Sequence, residues 1–450
     1  MRHTKIVSTL GPASQDRVAE LVEAGVSIVR INCSHLGTEE VAAAVLSARS
    51  QSSRVGILVD IQGPKLRLID GIDATGHEVT LRQRGHHGID GFDVGFDPHA
   101  VGVRPGERIL VNDGRIELVA VEVGPHFVRT TVRQGGTAQG RRGVNLPDTD
   151  VHVEMYSDKD RADIAAAVSA GADWIALSFV QRAEDVLAAR ALVPPHIRLL
   201  SKIERPQALS VLDDICAVSD AVMAARGDLG VEIDFARLPL VQRTIAGAAL
   251  KSGIASVCAT EMLESMITGS RPTRAEVSDV TNAVRDGFDA VMLSAETAIG
   301  HDPIGTVRAM ARILDEADAV NRVRSPFADS HPDTAAVAAS SAALSARIKA
   351  KAILAVTHTG HNAELVSACR PPAPIIAATS DPRVATRLML RYGVTPVLAD
   401  RPMSTDGAIE SAVAAAKSAG LCSAADRLVV SLSRTSPRSD TDTIYVYHVG

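Results

Sequence analysis

The sequence predicts an α/β protein built around a (β/α)8 TIM barrel, with an inserted small β-barrel lid domain and a C-terminal α/β sheet domain. Three observations lead to this prediction. Short apolar runs alternate with helix-like stretches up to about residue 320, the alternation breaks once between about Ile69 and Asn145, and a second alternating region follows Arg324. Parallel barrel strands are buried on both faces, so each is expected to form a short continuous apolar run.

The predicted barrel has eight strands, each followed by a helix. Amphipathic spacing indicates helices in segments such as Gln15–Ala24, Arg161–Ala170 and Asp234–Lys251. An open doubly wound sheet is the alternative, because short apolar runs do not by themselves separate the two architectures. The predicted strands are Thr4–Ser8, Ser27–Asn32, Val55–Asp60, Asp173–Ser178, Arg198–Lys202, Ala221–Ala225, Ala255–Ala259 and Ala290–Leu293.

The interruption after the third strand predicts an inserted β domain. It is rich in Gly, Val, Arg and His, and pieces such as Glu107–Val111, Ile116–Val123 and His126–Val132 have the pattern of hairpins. An insertion on a βα loop lies over the end of a barrel that carries the active site. We therefore predict a barrel domain of residues 1–68 and 146–322 and a lid domain of residues 69–145.

The C-terminal region, residues 323–450, is predicted to be a separate α/β sheet domain. A helix over Thr334–Ala350 precedes the first of its strands. The predicted strands are Lys351–Thr357, Pro374–Ala378, Val394–Leu398, Leu428–Leu432 and Thr443–His448.

Composition narrows the class of protein. The chain has 450 residues, 46% of them hydrophobic and 22% charged, and a formal net charge of -6, which argues against nucleic acid as a partner. The five cysteines form no C-x-x-C pair, as expected in a reducing compartment. The start has no hydrophobic signal core and no segment has the length of apolar sequence that spans a membrane, so we expect a cytoplasmic protein.

Polar residues follow six of the eight predicted strands. A barrel enzyme places its chemistry at this end, and buried charges are costly unless they are paired or bound to metal. Any one of these residues alone is better explained as an ordinary loop residue, but six strand ends together indicate a site. They include Arg30, Asn32 and Ser34 after strand two, Asp60 at strand three, Lys202 and Glu204 at strand five, Arg226 and Asp228 at strand six, Thr260 at strand seven and Glu296 at strand eight.

These residue types suit metal-assisted chemistry on an anion. Glu204 and Asp228 offer the oxygen ligands that Mg²⁺ prefers, and the less favoured alternative is that they form ion pairs with Lys202 or Arg226. Arg30 and Lys202 suit a phosphoryl group or a developing enolate. The backbone at the start of the helix after strand six offers N–H groups to a carboxylate. Phosphoryl transfer or enolate chemistry on a small phosphorylated acid follows, without a named reaction.

At these same residues the sequence resembles the pyruvate kinase family. The matches are long and in order, and they cover the barrel more tightly than the insert and the C-terminal domain. They are Thr4–Ser14, Arg30–His35, Gly143–Pro147, Ser201–Glu204, Met223–Glu232, Ala259–Met266 and Arg271–Val280.

The resemblance implies transfer of phosphate from phosphoenolpyruvate to ADP, giving pyruvate and ATP, with Mg²⁺ or alternatively Mn²⁺ as the divalent metal. Lys202 would stabilise the phosphoryl group and the enolate, and Arg30 would bind the phosphate. The remaining implied roles are metal binding by Glu204 and Asp228, carboxylate binding by the backbone of Gly227 and Asp228, a position near the protonated carbon for Thr260, and nucleotide binding near Asn32 and His35. The lid would close to exclude water.

One departure from the family concerns the monovalent cation. In the family, K⁺ is bound by side chains at positions matching Asn32, Ser34 and Asp60, and an acid usually stands where this chain has Lys65. An ammonium can supply the positive charge that K⁺ otherwise provides. We therefore predict that K⁺ is not required, as in the family's K⁺-independent branch.

The C-terminal domain contains a candidate effector loop at Thr357, Thr359, Gly360 and Asn362, which follows a strand and precedes a helix as a phosphate-binding loop does. A sugar phosphate or a nucleotide monophosphate is the expected ligand, and Ser433–Arg438 would close over it. An ordinary αβ connection without ligand is the alternative. The resemblance also implies a homotetramer.

Two other functions are compatible with parts of the pattern. A Mg²⁺-dependent lyase or aldolase acting on phosphoenolpyruvate or pyruvate would share the acid pair and the arginine, but it would not need the lid or Lys202 in this setting. A non-catalytic relative that senses a metabolite would have no reason to keep Lys202, Glu204, Asp228, Arg30 and Thr260 together.

Overall fold

The computed structural model describes residues 2–319, 332–400, 404–433 and 441–450. The predicted boundary at residues 322–323 lies outside this part of the chain, as do Arg434–Arg438 of the segment predicted to close over the effector loop. In the described part, no helix is both long enough and apolar enough to cross a membrane.

The strands of the described chain belong to three separate groups of sheets. In chain order they are β1 (Lys5–Thr9), β2 (Ile28–Asn32), β3 (Gly56–Asp60), β4 (Gly71–Asp73), β5 (Glu78–Gln83), β6 (Phe92–Val94), β7 (Arg108–Val111), β8 (Ile116–Gly124), β9 (Phe127–Gln134), β10 (Thr137–Gln139), β11 (Val144–Asn145), β12 (Trp174–Leu177), β13 (Arg198–Ile203), β14 (Ala221–Ala225), β15 (Ala255–Ala259), β16 (Ala290–Leu293), β17 (Ala352–Val356), β18 (Ile375–Thr379), β19 (Val394–Leu398), β20 (Arg427–Leu432) and β21 (Thr443–His448).

The helices alternate with the strands of the first and third groups. They are α1 (Val18–Ala24), α2 (Thr38–Gln51), α3 (Asp158–Ala170), α4 (Ala183–Arg190), α5 (Pro206–Ser210), α6 (Leu212–Val218), α7 (Arg226–Glu232), α8 (Leu238–Lys251), α9 (Arg274–Asp286), α10 (Ala295–Ala298), α11 (Pro303–Asp318), α12 (Pro332–Ile348), α13 (His361–Ala368), α14 (Pro382–Leu388) and α15 (Thr405–Ser418), with 3₁₀ turns at Cys33–His35, Phe235–Arg237 and Glu264–Ile267.

Eight parallel strands close into a barrel in the order β1-β16-β15-β14-β13-β12-β3-β2, which confirms the TIM barrel and excludes the open sheet. The strands have no exposed face, because the interior is packed with apolar side chains and the exterior with the helices. The register places the ends of neighbouring strands side by side, with Asp60 opposite Asn32 on one side and Ala176 on the other.

The insert and the C-terminal region form their own sheets. The insert has a six-stranded sheet in the order β11-β7-β8-β9-β5-β6 and a two-stranded sheet of β10 and β4, both around one apolar core. The two chain crossings between insert and barrel are hydrogen-bonded to each other, since Leu68 N donates to Arg142 O and Val144 N to Leu66 O. The C-terminal sheet has the order β19-β18-β17-β20-β21, with β21 antiparallel on its edge.

The C-terminal domain packs against the barrel at the end opposite the polar strand ends. Leu390 belongs to the apolar cluster of the barrel interior. The Lys5 ammonium donates to the carbonyl of Val394 at 2.6 Å. The guanidinium of Arg370 donates to both carboxylate oxygens of Asp289, at 3.0 and 3.1 Å. Buried charges therefore join the two domains.

Candidate active site

The carboxyl ends of β2, β3 and β13 bring three of the predicted residues into one buried network. Arg30 Nε donates to Asp60 Oδ2 at 2.7 Å and its Nη1 to Thr9 Oγ1 at 3.1 Å. Lys202 Nζ donates to Asp60 Oδ1 at 3.2 Å and to Ser178 Oγ at 2.8 Å. One carboxylate thus holds both cations at the top of the barrel.

Each charge in this network is retained because its neighbours compensate for burial. Burial alone would raise the pKa of Asp60, but the cations of Lys202 and Arg30 outweigh it and lower that pKa. Burial alone would lower the pKa of Lys202, but Asp60 and Glu204 outweigh it and raise that pKa. Lys202 is therefore charged across the working pH range, and it lies near the end of β13 at the barrel mouth.

Glu204 is fully buried one residue beyond the end of β13. Its Oε1 lies 3.1 Å from Lys202 Nζ, and its Oε2 accepts a 2.7 Å hydrogen bond from the backbone N–H of Phe179. Phe179 has φ +59°, a left-handed conformation that costs energy in a bulky residue and directs this N–H at the carboxylate. Burial raises the pKa of Glu204, Asp228 and Asp60 add to this, and Lys202 opposes it.

Asp228 lies on α7 and is paired with the lysine of the Gly63-Pro64 turn. Lys65 Nζ is 2.9 Å from Asp228 Oδ1, and the two side chains are each 29% exposed. The ion-pair alternative raised above is therefore present in part, because Glu204 pairs with Lys202 while Asp228 pairs with Lys65. Arg226 is occupied elsewhere, 2.6 Å from Asp279.

The donor set of Glu204 and Asp228 fits a Mg²⁺ ion. The negative charge of Asp228 is among the causes that raise the pKa of Glu204, so the two carboxylates repel each other and a divalent cation would relieve the repulsion. In the described part of the chain there is no group of three or more His, Cys, Asp or Glu side chains suited to a metal. Mg²⁺ favours a coordination shell in which one or two carboxylates are completed by substrate oxygens.

Thr260 directly follows β15 and contacts the start of α7. Its Oγ1 accepts a 2.8 Å hydrogen bond from the Gly227 N–H and donates to the carbonyl of Ala259 at 2.5 Å. Thr260 and Glu261 have φ of +71° and +53°, which is unusual for a β-branched residue and its neighbour. This strained turn brings the threonine hydroxyl to the barrel mouth beside the predicted carboxylate-binding backbone.

The segment after β2 is shaped by its own side chains. Asn32 Oδ1 accepts from the backbone N–H of Ser34 at 3.2 Å and caps the 3₁₀ turn that contains His35. Asp60, opposite Asn32 in the register, is held by Arg30 and Lys202. In the described chain Lys65 therefore forms its ion pair with Asp228, and the carboxylate of Asp60 is paired with Arg30 and Lys202.

Several residues at the site were not predicted, among them Thr9, whose hydroxyl accepts from Arg30. Ser178 bridges Lys202 and Ile61, and Phe179 orients Glu204 and has the cations of Lys65 and Arg205 at 5.7 and 5.3 Å from its ring centroid. Glu232 accepts from Asn145 Nδ2 at 3.0 Å. Ser178 ends its strand as the other polar residues do, so the same signal applied to strand four would have found it. Thr9 likewise follows the predicted first strand, and the others have no comparable signal.

The predicted effector loop forms the N-terminal cap of α13. Gly360 has φ +88°, and its N–H donates to Thr357 Oγ1 at 2.9 Å. The left-handed conformation favours glycine here, and a Cβ would also require the Arg387 guanidinium, 2.8 Å away, to move. The Asn362 amide donates to the carbonyl of Ser431 at 2.9 Å and accepts from its hydroxyl at 3.1 Å, which ties the loop to β20.

Comparisons with known proteins agree with this geometry. Residues 1–307 match the family described as pyruvate kinase, barrel domain, and residues 335–447 match the pyruvate kinase alpha/beta domain. A pyruvate kinase of Agrobacterium vitis is 38% identical over 449 residues, covering 95% of this chain and 94% of the relative. One of Methylorubrum extorquens is 41% identical over 417 residues, covering 88% and 87%.

A solved structure has the same fold over the whole chain. The crystal structure of a pyruvate kinase from Cryptosporidium parvum superimposes with a TM-score of 0.92 at 30% sequence identity, covering 100% of this chain and 96% of that one.

Proposed function

Because the chain belongs to the pyruvate kinase family of phosphotransferases, we propose that its barrel mouth transfers a phosphoryl group from phosphoenolpyruvate to ADP, as in the last step of glycolysis. The bond that breaks joins phosphorus to the enol oxygen, and the bond that forms joins it to a β-phosphate oxygen of ADP. The enolate left behind takes a proton at its terminal carbon and becomes pyruvate.

The observation that carries this proposal is the buried ammonium of Lys202, held by Asp60, Glu204 and Ser178 at the end of β13. A preorganised cation stabilises charge that develops in the transition state without having to reorganise. Lys202 therefore stabilises the phosphoryl group in transit and the enolate. Arg30, held by Asp60 and Thr9, binds the phosphate from the neighbouring strand.

Glu204 and Asp228 would hold Mg²⁺, for which Mn²⁺ is an alternative. When bound, the metal supplies positive charge that neutralises the phosphoryl oxygens and the enolate. The substrate carboxylate binds the backbone N–H groups of Gly227 and Asp228, where it replaces the Thr260 hydroxyl as acceptor for the Gly227 N–H. This exchange leaves the Thr260 hydroxyl beside the carbon that is protonated.

The inserted domain, residues 69–145, acts as a lid over the barrel domain of residues 1–68 and 146–322. Support comes from the paired chain crossings and from the contact of Asn145 with Glu232 on α7. Closing the lid excludes water, so that the phosphoryl group goes to ADP and not to solvent. ADP binds between lid and barrel, near Asn32 and His35.

Lys65 makes K⁺ unnecessary. The positions matching the K⁺ ligands are Asn32, Ser34 and Asp60, and Lys65 adds an ammonium group at the same mouth of the barrel. Its ion pair with Asp228 supports a role in balancing the acids of the site. Lys65 thus compensates for the absence of K⁺ by balancing the negative charge of these acids, and its ammonium does not occupy the K⁺ position itself.

Two further properties extend the proposal to the whole chain. Phe235, Leu240 and Ile299 are 84%, 66% and 64% exposed, and large apolar side chains at the surface favour packing between copies in a homotetramer. The Gly360 loop of the C-terminal domain, residues 323–450, binds a sugar phosphate or a nucleotide monophosphate as effector. If activity does not change when sugar phosphates and nucleotide monophosphates are added, the proposal of an effector site is contradicted.

A coupled assay for pyruvate formed from phosphoenolpyruvate, with and without ADP, tests the main proposal. A kinase forms pyruvate only when ADP is present and forms one ATP for each pyruvate. Formation of pyruvate without ADP would indicate the lyase alternative, and absence of pyruvate under both conditions would indicate a metabolite-sensing relative.

A further inference from the structure

Lys65 follows a constrained turn and lies between the first chain crossing to the insert and the helix α7 that carries Asp228. It follows the tight turn at Gly63, whose φ is +64° and where a Cβ would lie 2.9 Å from the carbonyl of Ser178. Its backbone N–H donates to Gly63 O at 2.9 Å, and its Nζ ends 2.9 Å from Asp228 Oδ1. The side chain therefore extends from a rigid turn to one chosen carboxylate.

The ammonium and a divalent metal compete for that carboxylate. Mg²⁺ binds oxygen at about 2.0–2.1 Å and keeps an octahedral shell. An ammonium hydrogen-bonded to the same oxygen would lie inside or beside that shell, where two positive charges repel each other. Lys65 and a metal therefore oppose each other at Asp228 through this repulsion, whichever carboxylate oxygen the metal takes.

Lys65 differs in this respect from Lys202, the other cation near the metal ligands. Lys202 is anchored by Asp60 and Ser178 as well as by Glu204, so it keeps two partners when Glu204 turns to a metal. In the described chain the only ion pair of Lys65 is with Asp228, and its side chain is 29% exposed. Of the two lysines, Lys65 is the one free to move when a metal arrives.

We propose that Lys65 is the resting counter-ion of Asp228 and that a divalent metal has to displace its ammonium in order to bind. This inference rests on the metal site assigned under the proposed function. The displaced ammonium regains a partner only when substrate or nucleotide phosphate is present. Binding of free metal is thereby weakened, and metal binding is coupled to the arrival of the anions.

Binding of Mn²⁺ to the substrate-free full-length enzyme, followed by the electron paramagnetic resonance of unbound Mn²⁺, tests this proposal. We expect Lys65→Met to bind Mn²⁺ roughly fivefold more tightly than the wild type, as removal of a partly exposed competing ion pair predicts. Lys65→Arg, which keeps the charge, should remain near the wild type. Lys251→Met removes the same charge from an exposed pair with Asp213 and should leave Mn²⁺ affinity unchanged.

Asp228→Asn separates failure of this inference from failure of the assigned site. Mn²⁺ binding that is insensitive to Asp228→Asn would overturn the metal site itself. Binding that is weakened by Asp228→Asn but not tightened by Lys65→Met would overturn the competition alone. The effect of Lys65→Met should also vanish in the Asp228→Asn background, and its persistence there would contradict the proposal, since the two residues would then act independently.

Discussion

Arg370 of the C-terminal domain and Asp289, the residue before β16, form an ion pair with side chains only 1% and 3% exposed. The residues belong to different domains, and the Arg370 guanidinium also lies 4.5 Å from the ring centroid of Tyr392. Burial alone would raise the pKa of Asp289, but Arg370 outweighs it and lowers that pKa. Each partner is thus charged and depends on the other, so the contact joins the two domains.

Arg370→Met is expected to lower the free energy of unfolding by about 3–5 kcal/mol, because it leaves the Asp289 carboxylate buried without its main counter-charge. Thermal or urea unfolding of the full chain measures the loss. Lys251→Met breaks an exposed ion pair and should cost less than about 1 kcal/mol. Equal losses in the two variants would show that the buried ion pair contributes no more to stability than an exposed one.

The buried residue Lys5 is expected to make the free energy of unfolding rise with pH. Burial, with some help from Arg2, lowers its pKa to about 7 from 10.5 in the unfolded chain. Between those values the unfolded chain holds a proton that the folded chain lacks, so the free energy of unfolding rises with pH, by about 1.4 kcal/mol per unit at most. Below pH 7 both states are protonated, and the folded state bears the whole cost of burying the charge.

Lys5→Met removes this dependence and is therefore expected to stabilise the protein most near pH 6 and least near pH 10. Urea unfolding at a series of pH values, with wild type and variant in parallel, measures the difference. The variant loses the hydrogen bond to Val394 at every pH, so the test is the slope and not the offset. Parallel curves for the two proteins would contradict the assigned pKa.

Lys202→Met is expected to lower kcat by at least about a hundredfold, as loss of a preorganised cation at an active site does. Steady-state kinetics with phosphoenolpyruvate and ADP measure it. Asp60 and Glu204 would also lose a buried partner, so the melting temperature has to be measured alongside. Lys5→Met, which removes a buried lysine from the opposite end of the barrel, is the matched control and should keep its kcat. A comparable fall of kcat in both variants would mean that the Lys202 effect is structural.

Lys65→Glu is expected to lower activity in the absence of K⁺ and to create a dependence on K⁺, because it adds a third acid beside Glu204 and Asp228. The rate of pyruvate formation at constant ionic strength, with tetramethylammonium replacing K⁺, measures this. The wild type should show a flat response to K⁺ over the same series. Strong stimulation of wild-type activity by K⁺ would contradict the proposal that K⁺ is not required.

The sequence could predict the barrel because each strand is buried on both faces, which makes its residues apolar whatever their neighbours are. The predicted Ala221–Ala225, Ala255–Ala259 and Ala290–Leu293 agree with β14, β15 and β16 at both ends. Strand ends also indicated most of the site, because position along a barrel strand determines height in the barrel.

Pairing at the site could not be predicted in the same way. Lys65 and Asp228 are separated by 163 residues and meet only because the barrel closes. Charge composition allowed Asp228 to pair with Arg226, its neighbour in sequence, yet Arg226 reaches Asp279 across the helices. Phe179 acts through its backbone conformation, which is set by the tertiary structure and has no signature in the residue type.

Glu261→Gly is expected to raise the free energy of unfolding by about 0.5–1 kcal/mol, because the left-handed conformation at φ +53° strains glutamate and glycine's larger loss of backbone entropy offsets only part of the gain. The Glu261 side chain is exposed, so little packing is lost. Glu264→Gly, in the neighbouring 3₁₀ turn Glu264–Ile267, is the control and should instead destabilise by about 0.5–1 kcal/mol. If the strained turn holds Thr260 in place, Glu261→Gly should also lower kcat while it raises the melting temperature. A variant that is more stable and equally active would show that the strain at this turn has no part in positioning Thr260.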